Sequence, residues 1–240
     1  MKVKKGYVDI ETGQIHFRYA GQKGRPTITL FHASPGSSRQ LYALISELAE
    51  SFFVYAPDTP GNGLSDPLPI SQPEIADYAY AHLQALKRLE ITESILFGTH
   101  TGASIAAVLS QLKDSPATLL VLDSVGLYDR QEKEALLQSY APQKRALSTG
   151  EHLLWTWHFI RDQWLFWPWY KHGKHNRLER GLPETSYLQI ASDKEDMLFK
   201  YFPKLKEFIP NSRQLIHEGW QNTERAKSTA ELLKKTVMEI

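Results

Sequence analysis

The stretch SILFGTHTGASIAAVL at 94–109 sets a histidine, His100, between two glycines, Gly98 and Gly102. A short apolar run precedes it and a small-residue helical run follows. This is the layout G-x-Ser-x-G, in which a tight strand-to-helix turn exposes a nucleophile at the edge of a sheet, with an imidazole in place of the hydroxyl. Chain and helix approach closely at such a turn, so the flanks must be small. Gly98 and Gly102 meet that need, and Ala103, Ala106 and Ala107 let the helix lie near the sheet. Ser94 and Ser104 lack flanking glycines. Thr99 and Thr101 are expected to point away from the pocket, which leaves His100 at the turn. An imidazole there can be a general base, with an ordinary pKa near ~6.5. It can be a covalent nucleophile that accepts an acyl group, or a donor to a substrate oxygen. The competing reading is a lost nucleophile and a chain that binds a ligand or partner without turnover.

The elements that must carry this turn are legible as an alternation. KGYVDIETGQIHFRYAG (5–21) reads as a hairpin around Glu11–Gln14. PTITLFH (26–32), FFVYAPD (52–58), SILFG (94–98) and LLVLDS (119–124) are short apolar runs, as expected for strands buried on both faces. Between them lie a helix capped by Ser37 or Ser38 and running to about Ser51, a loop PGNGLSDPLP (60–69), a helix over 72–90 and another over 101–112. The alternation stops at 126–185, which reads as mostly helical. It resumes with a strand at 187–192, a helix over 196–208, a strand at 214–219 and a last helix from about 222. Alternating β and α segments predict an α/β fold with a mostly parallel sheet flanked by helices. The expected organisation is a core of residues 1–125 and 186–240, with 126–185 as a helical, Trp-rich cap over the sheet edge where such folds bind ligands.

Composition narrows the function. Lys and Arg number 28 against 27 Asp and Glu, so charge gives no reason to expect nucleic acid or a membrane as partner. There is no cysteine, which excludes disulfides, thiolate chemistry and Cys-ligated zinc. No Gly-rich phosphate loop follows the first strand, so no cofactor is expected. His172 and His175 have a metal-like spacing, but Gly173 and the surrounding lysines place them in an exposed loop, so no metal is expected either. The N-terminus MKVKKGYVDI has no long apolar run, and none elsewhere approaches a span of ~20 residues, so a cytoplasmic protein is expected.

Taken in order, the motifs resemble those of the α/β-hydrolase superfamily. LFHASPGSS (30–38) is similar to the family's His-Gly-x-Pro-Gly oxyanion loop, APDTPGNGLSD (56–66) to its Asp-x-x-Gly-x-Gly-x-Ser segment, FGTHTGAS (97–104) to its nucleophile elbow, and LVLDSVGLYD (120–129) to its sixth strand before the cap. The resemblance is to a subgroup with His in place of the serine nucleophile. It implies that backbone N–H groups of Ala33 or Ser34, together with Thr101, form an oxyanion hole. Two neighbouring imidazoles, His32 and His100, are one candidate for the catalytic centre. A structural His32 that bonds loop backbone is the other reading. The acid partner implied by the family follows its sixth or seventh strand, where Asp123, Asp193 and Asp196 stand. At the place of the family's catalytic histidine stands Trp220, while His217 lies earlier, within the strand. Two triad positions therefore depart together, which argues against an ordinary serine esterase.

Five of the six tryptophans fall in GEHLLWTWHFIRDQWLFWPWYKHGKH (150–175). Trp155 and Arg161 are candidates for a pocket wall and a carboxylate anchor. Packing of the cap and a homodimer surface are the competing uses of this aromatic face. The function expected is a cofactor-free enzyme acting on a small carbonyl substrate by ester, lactone or C–C cleavage or by elimination. The alternative is a noncatalytic pseudo-hydrolase.

Overall fold

A computed structural model describes residues 1–34, 36–71, 73–125, 186–191, 199–209, 212–217 and 223–238. The described chain builds eight strands: β1 (Lys4–Ile10), β2 (Gly13–Ala20), β3 (Thr27–Phe31), β4 (Phe53–Pro57), β5 (Ser94–Thr99), β6 (Ala117–Asp123), β7 (Ser186–Ala191) and β8 (Arg213–Ile216). They form one sheet in the order β1-β2-β4-β3-β5-β6-β7-β8. The β1–β2 and β2–β4 pairs are antiparallel and all the others parallel. This is the mostly parallel α/β sheet that the alternation predicted.

The helices are α1 (Tyr42–Leu48), α2 (Ile75–Arg88), α3 (Thr101–Gln111), α4 (Leu205–Phe208) and α5 (Thr223–Met238). The sheet separates two apolar layers. On one face Phe31, Leu96, Leu120 and Leu122 pack with Ala79 and Leu86 of α2 and Ala103, Ala106 and Ala107 of α3. On the other, Ile28, Leu30, Phe97 and Val121 pack with Leu44, Ile45 and Leu48 of α1 and Ala226, Ala230 and Leu233 of α5. Alternate residues of a strand point to opposite faces, so strands covered on both sides must be apolar throughout. That is why β3 to β6 show no polar alternation.

One expectation is corrected and one refined. The described part, 199–208, of the helix expected over 196–208 is instead a short 3-10 turn at Phe199–Tyr201 and the four-residue α4. Pro203 lies between them, and a proline ring removes a donor and clashes with the preceding turn. The helix expected from Ser37 begins as a 3-10 turn at Ser38–Leu41, with the Ser37 hydroxyl accepting from the Arg39 N–H. The expected cap, 126–185, lies outside the described residues. No helix among the described residues is long and apolar enough to cross a membrane.

Candidate active site

The carboxyl ends of the parallel strands β4, β3, β5 and β6 line up along one edge of the sheet beside the amino-terminal half of the antiparallel β2, and the candidate residues lie along it. His100 sits between β5 and α3 with φ 52° and ψ −118°. A side chain at positive φ with this ψ is sterically penalised, and the surroundings must hold it there. Here they do so with main chain. A Cβ on Gly98 would run into the Gly102 carbonyl, and one on Gly102 would run into the carbonyls of Phe31 and His32. The His100 N–H donates to the Asp123 carbonyl at 3.1 Å, which ties the turn to the end of β6. His100 is half-buried.

His32 follows β3, which pairs with β5 in the register Phe31↔Gly98. It is fully buried. The Thr59 N–H donates to His32 Nε2 at 2.9 Å, so the ring proton sits on Nδ1 and is donated to the Ala33 carbonyl at 2.9 Å. Both nitrogens are committed to loop backbone. Of the two readings open for His32, these contacts favour the one in which it braces the loop, because a ring with both nitrogens bonded and no exposed surface has little to offer a substrate.

Thr101, expected to point away from the pocket, has its side chain bonded to the loop after β3. The Ser34 N–H donates to Thr101 Oγ1 at 2.7 Å. That bond removes Ser34 from the two candidate oxyanion amides and leaves Ala33. The Thr101 N–H lies in the first turn of α3, where a helix supplies no acceptor.

Beside this loop stands the carboxylate that heads the 58–65 motif, which had no role assigned from the sequence. Asp58, at the end of β4, is fully buried. Its Oδ1 accepts the Ser38 N–H at 2.7 Å, while Oδ2 accepts the Leu64 N–H at 2.9 Å and the His16 Nδ1–H at 2.8 Å. Burial alone would raise its pKa. The His16 bond, then the nearby His32 ring, then the Ser38 and Leu64 bonds hold the carboxyl well below the usual carboxylate range. Gly63, at φ 55°, leaves room for this carboxylate, which a Cβ would strike. Arg18 of β2 reaches Ser38 Oγ at 2.7 Å. The hairpin, the loop after β3 and the loop after β4 are thus pinned to one another behind the site. The available sequence signal was the pair of glycines three and five residues after Asp58.

Another histidine went unremarked. His82 of α2 is fully buried with its ring against Phe31, centroids 5.1 Å apart. Neither of its nitrogens has a partner among the described residues. Desolvation lowers its pKa from 6.5 to about 3.

Asp123 closes β6 and is buried. Its Oδ1 accepts from the Ser124 hydroxyl at 3.4 Å, and Ser124 itself has φ 51°. His217 follows β8 and meets α5, with Nε2 3.0 Å from Ser228 Oγ. Asp193, Asp196, Trp155, Arg161, Trp220, His172 and His175 lie outside the described residues. Among the described residues no cluster of three or more His, Asp or Glu could hold a metal ion.

Residues 26–150 match a protein family described as alpha/beta hydrolase fold. An uncharacterised hydrolase of Saccharomyces cerevisiae is 40% identical over 60 residues, which span 25% of this chain and 21% of that protein. The match thus covers about a fifth of that relative's length. Among solved structures, a membrane phospholipase A described as a bacterial virulence factor superposes with a TM-score of 0.77 at 16% identity, over 99% of this chain and 86% of that one. The haloalkane dehalogenase DbeA of Bradyrhizobium elkani superposes with a TM-score of 0.68 at 15% identity, over the whole of both chains. The thioesterase domain of the curacin biosynthetic pathway gives 0.68 at 13% identity, over 97% and 99%. These likenesses are of fold.

Proposed function

The chain belongs to the α/β-hydrolase fold family, and we propose that it is a cofactor-free hydrolase of small carbonyl compounds in which His100 does the work usually given to a serine. The observation that carries this reading is the backbone of His100. A non-glycine residue is held at φ 52° and ψ −118° by packing on both sides, at the sheet edge where this family places its nucleophile. The Saccharomyces cerevisiae relative is also named a hydrolase.

The chemistry follows from the imidazole and its neighbours. A neutral ring attacks an ester, thioester or lactone carbonyl, or takes a proton from a water that does so. In either case negative charge builds on the carbonyl oxygen. The Ala33 and Thr101 N–H groups are the proposed donors to that oxygen, in a setting where prearranged dipoles need no reorganisation. Positive charge builds on the ring, and a carboxylate nearby stabilises it. Asp123, at the neighbouring strand end, is the proposed partner, with Asp196 the alternative.

The test is a screen of purified protein against esters, thioesters, lactones and β-diketones, run beside His100→Ala. The expected result is turnover that falls about a hundredfold or more in the variant, at an unchanged circular dichroism spectrum. Mass analysis after an acid quench separates the two roles, because only a nucleophile carries the acyl group. Turnover that survives the substitution removes His100 from the chemistry. No turnover in either protein, with ligands still raising the wild-type melting temperature, moves the reading to a binding protein.

A further inference from the structure

The Thr101 side chain has a use that the backbone reading does not give it. A hydroxyl carries one donor and two acceptor sites. Thr101 Oγ1 accepts the Ser34 N–H at 2.7 Å, so one acceptor site is occupied and the hydroxyl's own proton remains to be given away. Among the described residues nothing accepts that proton. Thr101 is half-buried, follows His100 directly, and begins α3. Its position is also stiff, because Gly102 beneath it packs on the carbonyls of Phe31 and His32.

The same bond changes the supply of donors. It consumes the Ser34 N–H, and Pro35, next in the chain, has none. The loop is therefore short of amides where a developing oxyanion would be met. The threonine that consumes one donor can return another. A hydroxyl that already accepts a hydrogen bond is polarised into a better donor by that bond.

We infer that Thr101 supplies two donors to the oxyanion, its backbone N–H and its Oγ–H, with the Ser34 N–H serving as the device that aims and polarises the hydroxyl. The inference rests on the acyl-transfer reading of His100. It makes Thr101 a catalytic residue by its side chain. It also predicts a preference for substrates that concentrate charge on a single carbonyl oxygen.

The test uses p-nitrophenyl acetate with four full-length variants: Thr101→Val, Thr101→Ala, Thr101→Ser and His100→Ala. Valine has the shape of threonine without the hydroxyl. Alanine guards against a folding failure of the valine variant, since it leaves room for water at the Ser34 N–H. The expected result is a fall in kcat of about tenfold to a thousandfold for both Thr101→Val and Thr101→Ala, with KM within about twofold of wild type. Thr101→Ser should recover most of that loss. A purely structural role would move the melting temperature and KM instead, and serine would not restore kcat selectively. If Thr101→Val and Thr101→Ala keep wild-type kcat while His100→Ala loses it, the hydroxyl assignment falls and the His100 reading stands. If Thr101→Ser is as slow as Thr101→Val, the methyl group matters and the assignment falls. If His100→Ala turns over like wild type, or the wild type transfers no acetyl group, the inference falls together with the reading beneath it.

Discussion

His32 and His100 follow neighbouring parallel strands and differ in almost every physical respect. His32 is fully buried, and both its nitrogens are bonded to loop backbone. His100 is half-buried and sits on a backbone that an L-residue adopts only under constraint. The comparison teaches that a histidine's role is set by what its environment has already spent. Complete burial with both nitrogens given to backbone retires a ring from chemistry, whereas backbone strain at a half-buried position marks a place where packing sustains a cost for the sake of presentation.

Substitution should break the two apart. Alanine at 100 should cost about a hundredfold or more in turnover and little in stability. Alanine at 32 should do the reverse. It leaves the Thr59 N–H buried without an acceptor and opens a cavity, for a loss of about 2–4 kcal/mol. Calorimetry should record this as a drop in Tm of roughly 5–15 °C. Equal damage to stability from both variants would sink the contrast.

His82 sharpens the comparison by separating burial from bonding, since it is buried like His32 but its nitrogens have no hydrogen-bond partner among the described residues. Its folded pKa, about 3, lies below the ordinary 6.5. Its contribution is therefore complete above pH 6.5 and is lost as pH falls from there toward 3, because the unfolded chain takes up a proton that the folded one refuses. The slope is about 1.4 kcal/mol per pH unit. Melting curves from pH 7 to 4 should show this decline, and His82→Leu should flatten it, since replacing an unbonded buried ring by an apolar side chain removes the penalty. An unchanged slope in His82→Leu would assign the acid sensitivity to other groups.

The smallest effect concerns strain itself. Glycine at 100 relieves the constraint at φ 52° but adds freedom to the unfolded chain. The balance should be about 1 kcal/mol in favour of His100→Gly over His100→Ala, or roughly 2–4 °C in Tm. Equal melting of the two variants would mean that the turn holds no strain.

What could be read from the sequence was whatever depended on local pattern. Unalternating apolar runs predicted the buried strands, and the glycines at 98 and 102 predicted the turn, because close approach of main chain excludes a Cβ at those places. What escaped depended on partners far apart in the chain. His16 and Asp58 are 42 residues apart and meet only because β2 lies antiparallel to β4. Thr101 was expected to face away. Its rotamer is decided by an amide 67 residues earlier, and no helical periodicity encodes that. His82 gave no signal, since a histidine among the alanines and tyrosines of α2 looks the same in sequence whether its nitrogens are bonded or bare.

The turn at 98–102 has a consequence for engineering. Its constraints are made of main chain: two glycine contacts and one amide held by the Asp123 carbonyl. None of these depends on an imidazole. The frame is thus a socket, able to present serine, cysteine or aspartate at the same point, and a single codon is enough to change which reactive group is plugged into it.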